Sequence, residues 1–166
     1  MAIIFVYMGR KKLFLSDILH EIHWIVVVAG CLLCIAAALG SRKQNAILLI
    51  LYLAFIVYMT LIGERAGVRL DLFWSYRLFF ISPVMRLQIL NNIWLFVPLG
   101  AMLYRLWPRG YIVLIPVLLS LVIETLQLVL GTGLFETDDI VSNSLVGLIG
   151  VLVCWGIRKG IAMLSA

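Results

Sequence analysis

The residues of this sequence that could do chemistry are polar side chains set within long apolar runs. Glu124 lies in the middle of one run, with Ser120 four residues before it and Gln127 three residues after it. At helical spacing these side chains share one face. An ionisable group deep in a bilayer costs at least ~2.5 kcal/mol, so it needs a partner or a use. We predict that the stripe points into a helix bundle, with Glu124 as general acid or base and Ser120 and Gln127 binding substrate.

A second polar group opens the last apolar run. Asp139 and Asn143 are four residues apart on one helical face, beside Asp138. Carboxylates position polar groups and suit Mg²⁺, so Asp139 is a second candidate catalytic residue. Asp138 and Asn143 are candidate binding residues, as is Asn92 at the start of another run. Asp138 and Asp139 could hold a divalent cation, but no complete ligand cage is evident and no other cofactor is expected.

Each of these residues also has a structural interpretation. Asp138 would suit the first turn of a helix, where a carboxylate satisfies free N–H groups and the helix dipole. Asn92 and Asn143 could be interhelical hydrogen bonders. Glu124 could be a neutral carboxylic acid bonded to a neighbouring helix. The sequence leaves these alternatives open.

The apolar runs themselves indicate an integral membrane protein. The chain is 64% hydrophobic and only 13% charged, whereas soluble domains are about half apolar and about a quarter charged. Segments in lipid must be helical, because lipid offers no partner for backbone N–H and C=O groups. We therefore predict an all-α, polytopic membrane helix bundle, a single membrane domain over residues 22–159. Its transmembrane helices, about five by length, are predicted at residues 22–39, 46–62, 89–106, 111–130 and 140–157.

Two segments are predicted to lie at the membrane surface. Residues 1–21 combine helically spaced apolar residues with charged ones, which is typical of an interfacial helix. The long connection, residues 63–88, combines Arg with aromatic side chains, a mixture that suits the headgroup zone. Within it, residues 70–81 are predicted to form a short helix in the interface.

Charge placement predicts the orientation and excludes one class of partner. The net charge is +5, but the basic residues lie between apolar runs and form no Lys/Arg-rich block, so nucleic-acid binding is not expected. The short segments at Arg42-Lys43 and Arg158-Lys159 are basic, whereas residues 131–139 carry three acids and no Lys or Arg. Because Lys and Arg are retained on the cytoplasmic side, we expect a cytoplasmic C-terminus and an external acidic loop.

Four segments between residues 92 and 150 together resemble the VanZ-like family of bacterial membrane proteins. The resemblance rests on their order and spacing. They are Asn92-Ile-Trp-Leu-Phe96-Val-Pro98-Leu-Gly100, Ser120-Leu-Val-Ile-Glu124-Thr-Leu-Gln127, Phe135-Glu-Thr-Asp138-Asp139 and Asn143-Ser-Leu-Val-Gly147-Leu-Ile-Gly150. Many members carry an Arg just before the acidic turn, but residues 131–135 here contain none. If that Arg holds a phosphate or carboxylate, Arg77 or Arg86 must replace it, and we assign Arg77 as a binding residue.

The resemblance implies a multi-pass protein of the bacterial cytoplasmic membrane, acting in the cell envelope. The family is named for a protein associated with resistance to teicoplanin-type glycopeptide antibiotics. The first hypothesis is therefore a membrane-embedded enzyme that acts on a lipid-linked or lipophilic envelope substrate, with membrane lipid as a further expected partner. The alternatives are a non-catalytic binder of a lipophilic antibiotic or envelope lipid, and a proton-coupled transporter that uses Glu124 as a relay. Whether the protein is an enzyme is left open.

Overall fold

The computed structural model describes residues 24–60 and 67–165. The predicted interfacial segment 1–21, the start of the first predicted span and the end of the second lie outside the described residues. In chain order the elements are α1 (Trp24–Leu39), α2 (Arg42–Thr60), β1 (Gly67–Arg69), α3 (Trp74–Phe79), α4 (Pro83–Leu106), a 3-10 turn (Gly110–Val113), α5 (Leu114–Leu130), β2 (Leu134–Glu136) and α6 (Thr137–Leu164).

The described helices confirm the all-α membrane bundle. Four segments are long and apolar enough to cross a bilayer: Arg42–Thr60, Pro83–Leu106, Gly110–Leu130 and Thr137–Leu164. A shorter apolar helix, Val26–Leu39, precedes them. Large apolar side chains are exposed along these helices, such as Leu32, Ile50 and Val129. Exposure of this kind suits a surface solvated by lipid tails.

Helices α4 and α6 form the centre of the bundle because glycines let their backbones meet. A Cβ built on Gly100 would lie 1.9 Å from the Gly147 carbonyl oxygen, and one built on Gly150 would lie 1.9 Å from the Val97 carbonyl oxygen. Small residues allow such close approach of membrane helices, where packing replaces the hydrophobic effect as the attraction. Phe96, Leu99 and other fully buried side chains fill the space around this contact.

Helix α4 begins at Pro83, six residues before the predicted span. Ser82 caps it by accepting a hydrogen bond from the Met85 amide, and Pro83 occupies the first turn. The extra turns carry Arg86, which is only 3% exposed and donates a hydrogen bond to the Phe79 carbonyl oxygen. The predicted span, residues 89–106, does not include Arg86, but the helix does, because the protein itself and not lipid surrounds this charge.

The long connection between α2 and α4 contains a strand as well as the predicted short helix. The helix α3 covers only Trp74–Phe79, less than the predicted 70–81. Strand β1 pairs in parallel with β2, with Val68 opposite Phe135. This two-stranded sheet joins the connection to the acidic turn between α5 and α6 and so determines where the polar side chains of both segments lie.

Candidate functional site

The polar residues of α5 bind three different elements. Ser120 is fully buried, and its hydroxyl accepts a hydrogen bond from the Asn143 amide nitrogen on α6, at 2.9 Å. The same hydroxyl lies 3.5 Å from the Asp139 carbonyl oxygen, as a long hydrogen bond to it. Ser120 therefore joins α5 to the first turns of α6, the interhelical role that the sequence allowed for Asn143.

Glu124, one turn further along α5, holds the end of β2. It is 2% exposed, and its Oε2 accepts a hydrogen bond from the backbone N–H of Glu136 at 2.8 Å. Glu136 is buried as well, so two carboxyl groups lie close together where the strand meets α6. Glu124 thus faces the protein interior, and its observed partner is a strand amide, not the side chain of a neighbouring helix.

Gln127 points to a different place from its two companions. Its side-chain nitrogen donates a hydrogen bond of 2.6 Å to the carbonyl oxygen of Thr60, the last residue of α2. The last carbonyl groups of a helix have no partner within the helix, so Gln127 satisfies one of them. Its side chain also lies against Gly133, where a Cβ would be 2.8 Å from the amide nitrogen. Gln127 therefore fixes the ends of α2 and α5 to each other.

Asp138 holds the start of α3. It is 3% exposed, and its two carboxylate oxygens accept hydrogen bonds from the backbone N–H groups of Phe73 and Ser75. Phe73 has a left-handed backbone with φ of 66°, which is uncommon for a residue with a large side chain. The carboxylate thus caps a helix, as the structural interpretation allowed, but the helix is α3 rather than its own α6.

Arg69 completes the sheet with an ion pair and an aromatic contact. Its guanidinium pairs with the Glu136 carboxylate, directly opposite it in the β1–β2 register. The guanidinium carbon also lies 3.7 Å from the centre of the Trp74 ring. A planar guanidinium can pair with a carboxylate and stack on an indole at once. Arg69, which the sequence analysis did not single out, thus meets the acidic turn.

Tyr76 adds a phenol to the buried acids. Burial raises the pKa of the Tyr76 hydroxyl, a hydrogen bond with Ser142 lowers it, and the nearby Asp138 and Asp139 carboxylates raise it further, so the net direction is upward. The phenol is therefore neutral at physiological pH and can donate a hydrogen bond. The Asp139 carbonyl oxygen also accepts from the Ser142 hydroxyl at 3.2 Å. Tyr76, Ser142 and Asp139 thus form a group beside Ser120 and Asn143.

Two predicted binding residues are not part of this group. Arg77 is exposed on α3, and within the described part of the chain its side chain forms no hydrogen bond or ion pair. Asn92 is half-buried on α4, and its side chain likewise forms no hydrogen bond with another described residue. Nor do the described residues contain a group of three or more His, Cys, Asp or Glu side chains placed to hold a metal ion. The divalent cation at Asp138 and Asp139 stays a prediction.

We name the buried group formed by Ser120, Glu124, Glu136, Asp138, Asp139 and Asn143 the polar cluster. A family model described as VanZ/LLP1 matches residues 46–159, more than half of the chain. The chain belongs to the VanZ/LLP1 family. It is a multi-pass membrane protein. No curated protein and no solved structure matches the chain significantly.

The four VanZ-like segments have two kinds of role in the fold. The segment ending at Gly100 and the segment ending at Gly150 meet each other and build the α4–α6 contact. The other two, around Glu124 and Asp138, supply carboxylates that hold β2 and α3. The VanZ-like pattern thus serves both packing and the polar cluster, and the last segment contributes to both, because Asn143 belongs to the cluster.

Sequence reasoning missed Glu136, a member of the polar cluster, and two residues that contact the cluster, Tyr76 and Arg69. Glu136 was grouped with the acidic turn, but its partner Arg69 is 67 residues away in the chain and only the strand pairing brings them together. Tyr76 and Arg69 were assigned to the headgroup zone by composition. The sequence does place Trp74 five residues after Arg69. This spacing allows the observed cation–π contact but does not predict it.

Proposed function

We propose that this VanZ-like protein lies in the bacterial cytoplasmic membrane and binds, or acts on, a lipid-linked or lipophilic molecule of the cell envelope at the polar cluster. The observation that carries the proposal is the contact between the cluster and a segment with an apolar surface. Asp138 binds the backbone of Phe73 and Ser75. Residues 70–81 around these contacts expose apolar side chains, namely Leu70, Leu72, Phe73, Phe80 and Ile81. A lipophilic molecule could lie on this surface with its polar group turned towards the acids and Tyr76.

For a catalytic role, Glu124 and Asp139 are the candidates for acid–base work. Glu124 is buried and fixed by a backbone N–H group, and Asp139 is half-buried next to Tyr76. A fixed carboxyl group beside a neutral phenol can transfer a proton if a substrate group comes within hydrogen-bond reach. Ser120, Asn143 and Asp138 would then position the substrate or the catalytic groups.

The second candidate is a binder without catalysis, and one observation favours it. The carboxylates of Asp138 and Glu124 already accept backbone N–H groups, so they hold the scaffold in shape. A rigid scaffold with an apolar surface can sequester a lipophilic antibiotic or an envelope lipid without altering it. Whether it acts as an enzyme or as a binder, we further propose that the protein gives the cell tolerance of teicoplanin-type glycopeptide antibiotics.

A susceptible bacterium expressing the wild-type chain tests the proposal. We expect a higher minimum inhibitory concentration of teicoplanin, lost in Glu124→Gln and Asp139→Asn at equal membrane abundance. Thr125→Val is the matched control, because Thr125 is the exposed neighbour of Glu124 and bonds only within its own helix. An enzyme leaves a chemically altered lipid or drug, whereas a binder gives protection in proportion to its abundance. Equal tolerance in cells with and without the wild-type protein would refute the resistance role.

A further inference from the structure

At the end of the bundle away from the polar cluster, basic side chains lie close together and no acidic side chains accompany them. Arg105 donates to the Gly40 carbonyl oxygen at 2.9 Å, and Arg158 donates to the Ala38 carbonyl oxygen at 3.3 Å. Arg42 and Lys43 are exposed in the first turn of α2 beside them. Residues 24–60, 100–115 and 150–165 contain no Asp or Glu at all. This end therefore carries positive charge that the described part of the protein does not neutralise.

The basic end and the polar cluster lie on opposite membrane surfaces. Asp138 and Arg158 are 20 positions apart on the single helix α6. At 1.5 Å per residue that separation is about 30 Å, the thickness of the hydrocarbon core. The basic end is thus at the level of the lipid headgroups, where anionic phospholipids attract Lys and Arg.

An apolar groove runs from this basic end into the bilayer. Its volume is about 540 Å³, within the range of about 300–1,000 Å³ that is usual for small-molecule sites. It lies between the end of α1 and the first half of α2, and it is lined by Ala36, Leu39, Gly40, Gln44, Asn45, Ile47, Leu48 and Leu51. Leu51 is nine residues beyond Arg42, so the groove descends about 14 Å from the headgroup level.

We propose that this groove binds one anionic phospholipid, with an acyl chain between α1 and α2 and its phosphate at Arg42 and Lys43. The apolar walls match an acyl chain. Arg42 and Lys43 are exposed and directly precede the lining residue Gln44, so their positive charge is next to the groove in the chain and matches the headgroup. A zwitterionic lipid would fill the same groove without the charge attraction. The site is separate from the polar cluster, so it is a lipid contact of the fold and not the proposed substrate site.

Native mass spectrometry of the purified full chain in detergent tests the site. The probes are phosphatidylglycerol and phosphatidylcholine with identical acyl chains. We expect one retained phosphatidylglycerol per protein and weaker retention of phosphatidylcholine. Each basic side chain near an anionic headgroup contributes about fivefold in affinity, so Arg42→Gln and Lys43→Gln should each lower phosphatidylglycerol retention about fivefold. Arg109→Gln removes an exposed positive charge from the connection between α4 and α5, outside the groove lining, and should leave this retention unchanged.

Ala36→Trp provides an independent test of the groove. Ala36 is exposed and lines the groove, so an indole there fills the groove without entering the bundle core. We expect this variant to lose the retained phosphatidylglycerol while its helical circular dichroism matches the wild type. Equal retention of the two lipids by the wild type, or unchanged retention in both Arg42→Gln and Lys43→Gln, would overturn the proposal.

Discussion

The carboxyl groups of two residues, Asp138 and Glu124, fix the position of the connection between α2 and α4 and of the strand paired with it. Asp138 accepts two backbone N–H groups from α3 and the residue before it, and Glu124 accepts one from Glu136. A hydrogen bond to a charged acceptor such as the Asp138 carboxylate contributes about 1.5–3 kcal/mol, roughly twice as much as a hydrogen bond between neutral groups. A short helix of six residues is not stable by itself, so α3 depends on bonds to its neighbours. These are the two Asp138 bonds at its start and the Arg86 bond to the Phe79 carbonyl oxygen at its end.

Asp138→Asn should loosen α3, because the amide keeps one acceptor oxygen and loses the other together with its charge. We expect lower hydrogen-exchange protection at the amides of residues 73–80, with the long helices unaffected. Asp71→Asn is the matched control, since Asp71 is exposed on the same connection. Identical exchange in Asp138→Asn and the wild type would mean that other contacts hold α3.

The Ser120–Asn143 bond should contribute measurable stability between α5 and α6. Interhelical hydrogen bonds in membranes contribute about 0.6 kcal/mol on average and up to about 1.7 kcal/mol. A double-mutant cycle with Ser120→Ala and Asn143→Ala, followed by unfolding in mixed detergent and SDS, should give a coupling free energy within that range. Strictly additive effects would show that the two side chains act independently.

At the scale of elements, the α4–α6 contact and the β1–β2 sheet perform different tasks. The helix contact is built from glycines with no space for a side chain, and it positions the spans. The sheet is only three residues on each strand, and it ties the connection to the acidic turn. Assembly of the polar cluster therefore depends on the sheet, whereas packing of the helices into a bundle depends on the glycines.

Gly100→Ala should destabilise the bundle. Its Cβ would meet the Gly147 carbonyl oxygen, and overpacking of this kind costs about 1–3 kcal/mol. The control is Gly156→Ala on α6, where a new Cβ has no atom within 4 Å and helix propensity favours Ala by up to about 1 kcal/mol. Thermal unfolding in detergent compares the two. A Gly100→Ala variant as stable as the wild type would contradict the close backbone contact.

How much the sequence predicts differs between elements for physical reasons. The length and hydropathy of an apolar run predict a transmembrane helix, but not where that helix ends. Helix α4 begins six residues before the predicted span, and α6 ends at Leu164, seven residues after it. Strands β1 and β2 are three residues each, too short for alternation to appear, and their pairing joins Arg69 to Glu136 across the chain. The helix face of Ser120, Glu124 and Gln127 was predictable from spacing. Their separate partners were not, because those depend on how α6, β2 and α2 end.

At the scale of the whole molecule, the charges of its two ends predict an orientation. The basic end, near Arg42 and Arg158, is expected in the cytoplasm, and the acidic turn at residues 136–139 outside. A fluorescent protein that folds only in the cytoplasm should fluoresce when fused to the C-terminus. Activity of a phosphatase that works only outside the cytoplasm, fused at the same position, would reverse the orientation and direct the search to cytoplasmic substrates.

The central claim, that the polar cluster engages a lipophilic envelope molecule, is tested most directly by mass spectrometry of what the protein retains or converts. Purified protein is incubated with a lipid extract of the bacterial envelope, for wild type, Glu124→Gln, Asp139→Asn and the control Thr125→Val. The account predicts one lipid species that the wild type and Thr125→Val retain or alter and that both carboxyl variants do not. If all four proteins retain the same lipids and none of them alters a lipid, the result contradicts it.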